Sequence, residues 1–272
     1  MPSELTRMWS NLKRRKWTGL LLVVGLFWWE FHKSRPEVIY NASYIYNRLA
    51  EEDVLIKSFD QTVFYNDQGK LIETSLLIKW IKPVKFITFN YPTKEQQKTI
   101  FELSNLLERL SGIKIRKIKS SETGANVHLH FNKHEKFADI SAGYGNDKAE
   151  EFEKFQGVLC RAIMTYTRKS GYKFAINFIN TELDEDGITA CILEEFSHIL
   201  GVGDGAYYVP SVFADTRFPE QLSINDKIMI RTLYDKRLKL GMTRDEAMPI
   251  VRKIIPELVA AVQERGEEAL YQ

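Results

Sequence analysis

The sequence predicts an α+β fold, in which a mixed β-sheet precedes a helix with acidic and histidine side chains and then a helical C-terminal part. Apolar residues alternate or cluster as strands do in several segments before residue 180. The segment Cys191–Asp204 has helical spacing with a glycine near its end, and apolar positions beyond residue 224 again recur at helical spacing. Strands first and helices later are the order of an α+β domain.

The N-terminus, residues 1–35, is predicted to form a cytoplasmic basic tail and a signal anchor. Five basic residues precede the apolar run Trp17–Trp29: Arg7, Lys13, Arg14, Arg15 and Lys16. Basic residues on the cytoplasmic side orient such a segment with its N-terminus inside. We therefore expect residues 13–33 to anchor the chain in the inner (cytoplasmic) membrane as a single pass, with the main domain periplasmic or otherwise extracytoplasmic. A cleaved signal peptide is the alternative, but residues 28–33 lack the small side chains of a cleavage site.

The chain length of 272 residues is enough for one large domain or two small ones. We predict a juxtamembrane and small N-terminal element over residues 36–75 and the main domain over residues 76–272. A net charge of +2 gives no reason to expect a nucleic-acid partner. Neither the phosphate-binding nor the dinucleotide-binding glycine motif is present, so nucleotide binding has no support.

The predicted strands are Leu76–Trp80, Lys85–Tyr91, a segment around Ile115, the segment Val127–Phe131, and Phe174–Ile179. Between the second and the third of them, Thr93 and Gln96 form a capping box that starts a helix, and Gly112 ends that helix. Residues 132–157 are polar and contain several glycines, so we interpret them as a long loop.

The helical part begins after the last predicted strand. Asp186 is expected to cap the first helix, because its side-chain oxygen can accept a backbone N–H. A second helix is predicted over Ile224–Tyr234. Thr243 and Glu246 form another capping box, which starts the final helical segment.

Two histidines, His128 and His130, lie on the face of one predicted strand opposite its apolar residues. Histidines two residues apart on a strand can share a metal ion. The alternative is that they form the solvated face of a half-buried strand. Sequence alone leaves both interpretations open.

The chain is organised around one segment, CILEEFSHILGVGD. Glu194 and His198 are four residues apart and project from one helical face, with Glu195 one step around the helix. Gly201 can adopt the left-handed conformation that ends a helix, and Asp204 can fold back toward the other two. This is the spacing of the zincin motif H-E-x-x-H-x-x-G-x-x-H/D, with Glu194 in place of the first histidine. The strand before this helix is expected to form the upper edge of a cleft.

The motif predicts a metal site with Glu194, His198 and Asp204 as ligands and Glu195 as the catalytic base. In zinc peptidases, three protein ligands hold the ion and leave one position open for water, and the adjacent glutamate accepts the proton of that water. Zinc is the cofactor that the motif favours. One imidazole and two carboxylates are a harder ligand set, however, which also suits manganese or calcium. The alternative is that these side chains only hydrogen-bond within a degenerate cleft.

The two cysteines, Cys160 and Cys191, allow one disulfide, which an exported protein can keep. Such a bridge would tie the segment before a predicted strand to the start of the motif helix. Two buried free thiols are the alternative.

The motif segment resembles a family of bacterial envelope proteins known as domain of unknown function 2927, over residues 76–255. The segments that carry the resemblance are Cys191–Asp204, Ser211-Val212-Phe213 and Asp226 to Met242. The most specific positions are Cys191, Glu194-Glu195, Leu200-Gly201, Asp204, Leu233-Tyr234-Asp235, Arg237-Leu238 and Gly241-Met242. That family is similar to metzincin-type peptidases, and its members usually carry glutamine where this chain has His198. The resemblance implies that Met242 or Met229 forms the methionine turn beneath the site.

Together these features predict a membrane-anchored extracytoplasmic protein with a degenerate metzincin-like domain, an active or relic metallopeptidase that acts on a protein or peptide substrate. The alternative is a non-catalytic binding or scaffold protein of the envelope on a zincin-like fold. Glycoside cleavage is disfavoured, because Glu194 and Glu195 on one helical turn are poorly placed to flank a glycosidic bond.

Overall fold

The computed structural model of the chain describes residues 48–65, 71, 76–119, 121–145, 160–206, 208–214 and 219–271. They belong to one compact unit, Ile45–Gln272. The predicted basic tail and anchor over residues 1–35, including the membrane contact at 13–33, lie outside the described residues. Among the helices of the described ranges, none is long and apolar enough to cross a membrane.

A mixed sheet forms the centre of the unit, as predicted, and five of its strands lie in the described residues. Its strands are β1 (Val84–Phe89), β2 (Ile115–Lys117), β3 (Val127–Asn132), β4 (Arg161–Thr167) and β5 (Gly171–Asn180), in the order β2-β1-β3-β5-β4. All neighbouring strands are parallel except β4, which runs antiparallel to β5 at one edge. The strand before the motif helix, β5, is therefore interior to the sheet, and β4 forms the edge of the sheet beside it.

The described residues form six helices around the sheet: α1 (Glu52–Phe64), α2 (Lys94–Ser111), α3 (Phe137–Gly143), α4 (Glu185–His198), α5 (Ile224–Leu233) and α6 (Arg244–Arg265). Short 3-10 turns follow β3 and α6, at His134–Lys136 and Glu267–Leu270. The capping boxes predicted at the starts of α2 and α6 are both confirmed. Gly112 ends α2 in the left-handed conformation, as expected, with φ of 69°.

The structure corrects the prediction for two segments. The segment Leu76–Trp80 is extended but is not a strand of the sheet: Leu76 forms an isolated bridge to Thr243, and the N–H of Tyr172 in β5 donates to Lys79 O at 3.4 Å. Its burial comes from packing beside the end of α5, where the ammonium of Lys79 donates to the carbonyl oxygens of Leu233 and Leu238 at 2.9 and 2.8 Å. The predicted loop over residues 132–157 contains α3 in its described part.

The sheet has a separate apolar core on each face. The larger core lies between the sheet and most of the helices, and Phe196 of α4 packs edge-on against Phe86 of β1 at 5.1 Å between ring centroids. Leu55 and Phe59 place α1 in this same core. The smaller core lies beneath α3 and is centred on Phe178.

The alternation of β3 sends Val127 and Leu129 to the larger core and the two histidines to the other face. The interpretation of that second face as solvated is wrong for His130, which is only 7% exposed. The residues that cover it follow β3 directly in the chain: α3 and Tyr144, which contacts both histidines.

Candidate metal centre

The helix that carries the motif, α4, begins at a capping residue. The side chain of Asp184 accepts the backbone N–H of Gly187 at 2.9 Å. We expected Asp186 in this role, but Asp186 lies inside the first turn. There its negative charge suits the positive end of the helix dipole.

The predicted disulfide is present. Cys160 and Cys191 are bonded, with their Cα atoms 5.8 Å apart. Cys191 lies one helical turn before Glu194, and Cys160 directly precedes β4. The bridge therefore fixes the edge strand of the sheet to the helix that carries the candidate site.

The glycine turn after α4 is held by contacts that leave no room for a side chain. Gly201 has a φ of +98°, and a Cβ atom there would lie 2.8 Å from the carbonyl oxygen of Ile78. The indole N–H of Trp80 donates to Ile199 O at 2.6 Å, and the hydroxyl of Tyr234 donates to Leu200 O at 2.9 Å. The turn therefore requires glycine both for its backbone conformation and for space.

The chain after this turn brings Asp204 back toward the helix. The backbone N–H of Gly203 donates to Thr62 O of α1 at 2.8 Å, which fixes the path of the loop. Nε2 of His198 lies 3.1 Å from Asp204 Oδ1 and 3.8 Å from Glu194 Oε1. One ligand atom from each of these three residues lies within 4.8 Å of the other two. The structure thus brings together all three residues that the sequence predicts as metal ligands.

The imidazole of His198 is oriented by its other nitrogen, since Nδ1 lies 2.7 Å from Val202 O. A carbonyl oxygen only accepts hydrogen bonds, so Nδ1 carries a proton in this contact. In the neutral ring, the lone pair is then on Nε2, which faces the two carboxylates. This is the arrangement by which metal-binding histidines are usually held.

Burial and the neighbouring charges together set the protonation of the cluster. Burial alone lowers the pKa of His198, but the carboxylates of Asp204, Glu194 and Glu195 raise it well above its ordinary value. Burial raises the pKa of Asp204, yet the hydrogen bond from His198 and the charge of Arg161 leave it lowered. The pKa of Glu195 is raised well above its ordinary value, first by burial and then by the neighbouring carboxylates.

The floor of the site is aromatic. The ring of Phe213 packs against His198 with 5.1 Å between centroids. The backbone N–H of Gly205 donates to Phe213 O at 3.0 Å and so closes the intervening loop. The buried carboxylate of Asp226 accepts hydrogen bonds from the hydroxyl of Ser211 and from Val212 N. These contacts hold Phe213 beneath the imidazole.

The role of Phe213 was not predicted. The residue expected beneath the site was a methionine, Met242 or Met229. Met242 is engaged elsewhere: its sulfur accepts the N–H of Lys239, and its carbonyl oxygen accepts the N–H of Leu77. Met229 is fully buried within α5. In the sequence, Phe213 is marked only by the family resemblance of the Ser211-Val212-Phe213 segment. Its contact with His198 crosses a loop, and such a contact leaves no local sequence pattern.

The ligand set fits a divalent cation. His198 offers a nitrogen lone pair once a cation displaces the proton of Nε2, and Glu194 and Asp204 are half-buried carboxylates that face it. A cation among them would neutralise negative charges that now repel one another. Two oxygen donors and one imidazole suit zinc and also manganese. Glu195 lies next to the cluster but has only 5% of its surface exposed.

The family of the chain follows from a comparison with known protein families. Residues 52–253 match a family described as "Protein of unknown function (DUF2927)". The match begins 24 residues before the resemblance predicted over 76–255, and it therefore includes α1. No curated protein matches the chain. Because the matched region covers well over half of the residues, the chain belongs to the family of proteins of unknown function DUF2927.

Proposed function

We propose that Glu194, His198 and Asp204 bind a divalent metal ion and that the domain is a zincin-type metallopeptidase. The observation that carries this proposal is the convergence of three ligand atoms within 4.8 Å. The orientation of His198 by Val202 O supports it, because this contact directs Nε2 toward the two carboxylates.

The sheet offers a place for a peptide substrate. β4 is an antiparallel edge strand, and the disulfide holds its first residues beside α4. Among the described residues, β4 pairs only with β5, so its outer side can add an extended peptide by backbone hydrogen bonds. The order of strands and helices is similar to that of zincins only by analogy. The proposed peptidase activity therefore rests on the residues of the site.

The metal ligands and Glu195 have different roles in the proposed reaction. A bound ion would polarise the scissile carbonyl and acidify a water molecule. Glu195, next to the ligand Glu194 and close to His198, would accept the proton of the attacking water and pass it to the leaving amine. A cation nearby would favour the charged form of Glu195 and so counteract the burial that raises its pKa.

A non-catalytic binding or scaffold protein is the rival function, and one observation favours it. His198 Nε2 and Asp204 Oδ1 are 3.1 Å apart, so a protonated imidazole forms an ion pair that satisfies both groups without a metal. Glu194 in place of a histidine also weakens the site for zinc. The two functions therefore differ first in metal content.

The full-length chain, purified without chelator, tests the metal site by elemental mass spectrometry. We expect about one zinc or manganese ion per chain, which His198→Ala and Asp204→Asn each remove. His134→Ala is the matched control, because His134 is outside the cluster. The enzyme proposal would be contradicted by a metal-free chain whose thermal stability does not change when zinc, manganese or calcium is added.

Glu195→Gln separates catalysis from metal binding. We expect it to keep the metal but to lower the cleavage of fluorescein-labelled casein by about 10²–10⁴-fold, the usual contribution of a general base. If the wild-type chain holds the metal and cleaves nothing, and Glu195→Gln changes no cellular phenotype, the scaffold function replaces the peptidase.

We further propose that residues 13–33 anchor the protein in the inner membrane and that the domain is extracytoplasmic. The basic residues before the apolar run support this orientation. The disulfide supports an oxidising compartment. The full chain should remain in membranes after an alkaline carbonate wash and be digested by protease added to spheroplasts. Recovery of the uncut chain from the cytosol would contradict the proposal.

A further inference from the structure

A second polar cluster lies on the other face of the sheet. Nδ1 of His128 is 2.7 Å from the phenol oxygen of Tyr144, and Nε2 of His130 is 2.9 Å from the same oxygen. Both histidines lie on β3, and Tyr144 directly follows α3. Two ring nitrogens and one phenol oxygen therefore converge on a small volume.

Aromatic rings hold both imidazoles in place. His130 stacks on Phe89 with 4.3 Å between centroids and 4° between planes, and it lies 6.0 Å from Phe178 on centroids. His128 meets Phe174 edge-on at 4.8 Å. The cluster is thus preorganised and largely apolar around its donor atoms, as a small-ion site requires.

The donors are available and the site is accessible. Burial lowers the pKa of both histidines, and that of His130 falls to about 4, so both rings are neutral at neutral pH. The phenol has one proton, so one of the two facing nitrogens accepts it and the other donates its N–H to the phenol oxygen. A change of tautomer in the donating ring presents both lone pairs to an ion. Tyr144 is 39% exposed, so an ion can reach the cluster from solvent. The three converging donors include no carboxylate. Imidazole and phenol donors favour first-row transition metals over calcium or magnesium.

We propose that His128, His130 and Tyr144 form a second metal site, which takes a first-row divalent ion and binds Cu²⁺ most tightly. Imidazole ligands suit copper, and copper stands highest in the affinity order of these ions. Cu²⁺ prefers tetragonal coordination, in which neighbouring ligand atoms about 2.0 Å from the ion are about 2.8 Å apart. The phenol oxygen already lies 2.7 and 2.9 Å from the two ring nitrogens, so these separations suit neighbouring positions around the ion. On binding, the phenol releases its proton to solvent and coordinates as phenolate.

The test uses the full-length Asp204→Asn chain, stripped of metal and titrated with Cu²⁺. That background impairs the first cluster, so failure of this proposal and failure of the peptidase proposal are distinguishable. We expect a saturable site with nitrogen hyperfine coupling in the electron paramagnetic resonance spectrum and a phenolate-to-copper absorption band in the visible. His128→Ala should abolish both signals.

Two further variants make the test specific. Tyr144→Phe should keep a nitrogen-coupled copper signal but lose the charge-transfer band. His134→Ala is the matched control, because its ring also packs beside α3, 5.2 Å from Phe137, yet should change neither signal. Copper binding that survives His128→Ala, or that His134→Ala weakens equally, would overturn the proposal. His130→Ala adds a second ligand deletion where circular dichroism shows that it folds.

Discussion

The two histidine clusters of this molecule are built in different ways. Glu194 and His198 are set by the pitch of one helix, and Asp204 is brought to them by a glycine turn. His128 and His130 are set by the pleat of one strand, and Tyr144 reaches them from a separate helix end. The first cluster is rich in carboxylates, whereas the three groups that converge in the second are two neutral imidazoles and a phenol.

The difference lies also in what holds each cluster. A disulfide, the contacts of the Gly201 turn and the aromatic floor of Phe213 all support the first. The second is closed by hydrogen bonds to one tyrosine and by stacked rings. The first cluster is therefore held rigidly by a covalent bond and backbone contacts. The second can adjust by moving one exposed side chain, that of Tyr144.

Removal of the disulfide should have the largest effect on stability. The Cys160→Ser, Cys191→Ser double variant loses the closure of a loop with a sequence separation of 31. The chain-entropy model gives about 3–4 kcal/mol for a loop of this size. Urea unfolding of the wild type with and without reductant is the matched measurement. A loss below about 1 kcal/mol would show that the contacts around α4, rather than the bridge, hold the first cluster.

Gly201→Ala should come next, at about 2 kcal/mol or more. The left-handed conformation costs a non-glycine residue roughly 1–2 kcal/mol, and the new Cβ would meet the carbonyl oxygen of Ile78 at 2.8 Å. Gly143→Ala is the matched control beside the second cluster, because nothing lies within 4 Å of a Cβ there. Thermal unfolding should show Gly201→Ala destabilised and Gly143→Ala unchanged or slightly stabilised. Equal losses would contradict the tight turn.

Tyr144→Phe should cost about 1 kcal/mol, the usual net value of a lost hydrogen bond. It leaves two histidine nitrogens without their phenol partner but keeps the aromatic packing. Tyr91→Phe is the control, because Tyr91 is 97% exposed. Urea midpoints of the two variants provide the comparison, and a Tyr144→Phe chain as stable as the control would show that solvent replaces the phenol.

The two clusters should also respond to pH with opposite signs. The pKa of His198 is raised in the fold, so its stabilisation is complete below about 6.5 and is lost as pH rises through the folded value. The pKa of His130 is lowered to about 4, so stability is lost as pH falls from about 6.5 toward 4.

Each change is at most about 1.4 kcal/mol per pH unit. Urea unfolding across pH 5–8 measures it in metal-free protein. His198→Ala should flatten the alkaline decline, and His130→Ala should flatten the acid one. The same slope in both variants would contradict the assignment of the two pKa shifts.

The first cluster could be predicted from the sequence because its residues lie close together along the chain. Glu194 and His198 share a helix face through their spacing, and Gly201 marks the turn that returns Asp204. The capping boxes were readable for the same reason, since a cap bonds three residues along the chain. The cap of α4 was missed by two residues because several acidic residues in that stretch could fill the role.

Other features depend on contacts that no short pattern records. β4 is partly exposed along its length, so it lacks the apolar alternation that marks a strand. Leu76–Trp80 has the apolar composition of a strand but is buried against α5 and the turn after α4 instead. The pairing of Tyr144 with His128 and the seat of Phe213 under His198 arise only when distant elements pack.

The disulfide also changes what a cut in the backbone does. The hairpin of β4 and β5 lies within the ring that Cys160 and Cys191 close, and its tip exposes Arg168 and Lys169. A single tryptic cleavage at this tip leaves two fragments that stay covalently joined through sulfur. Nicked protein should therefore migrate as one species on a non-reducing gel and separate into two after reduction, while α4 keeps its link to the edge of the sheet.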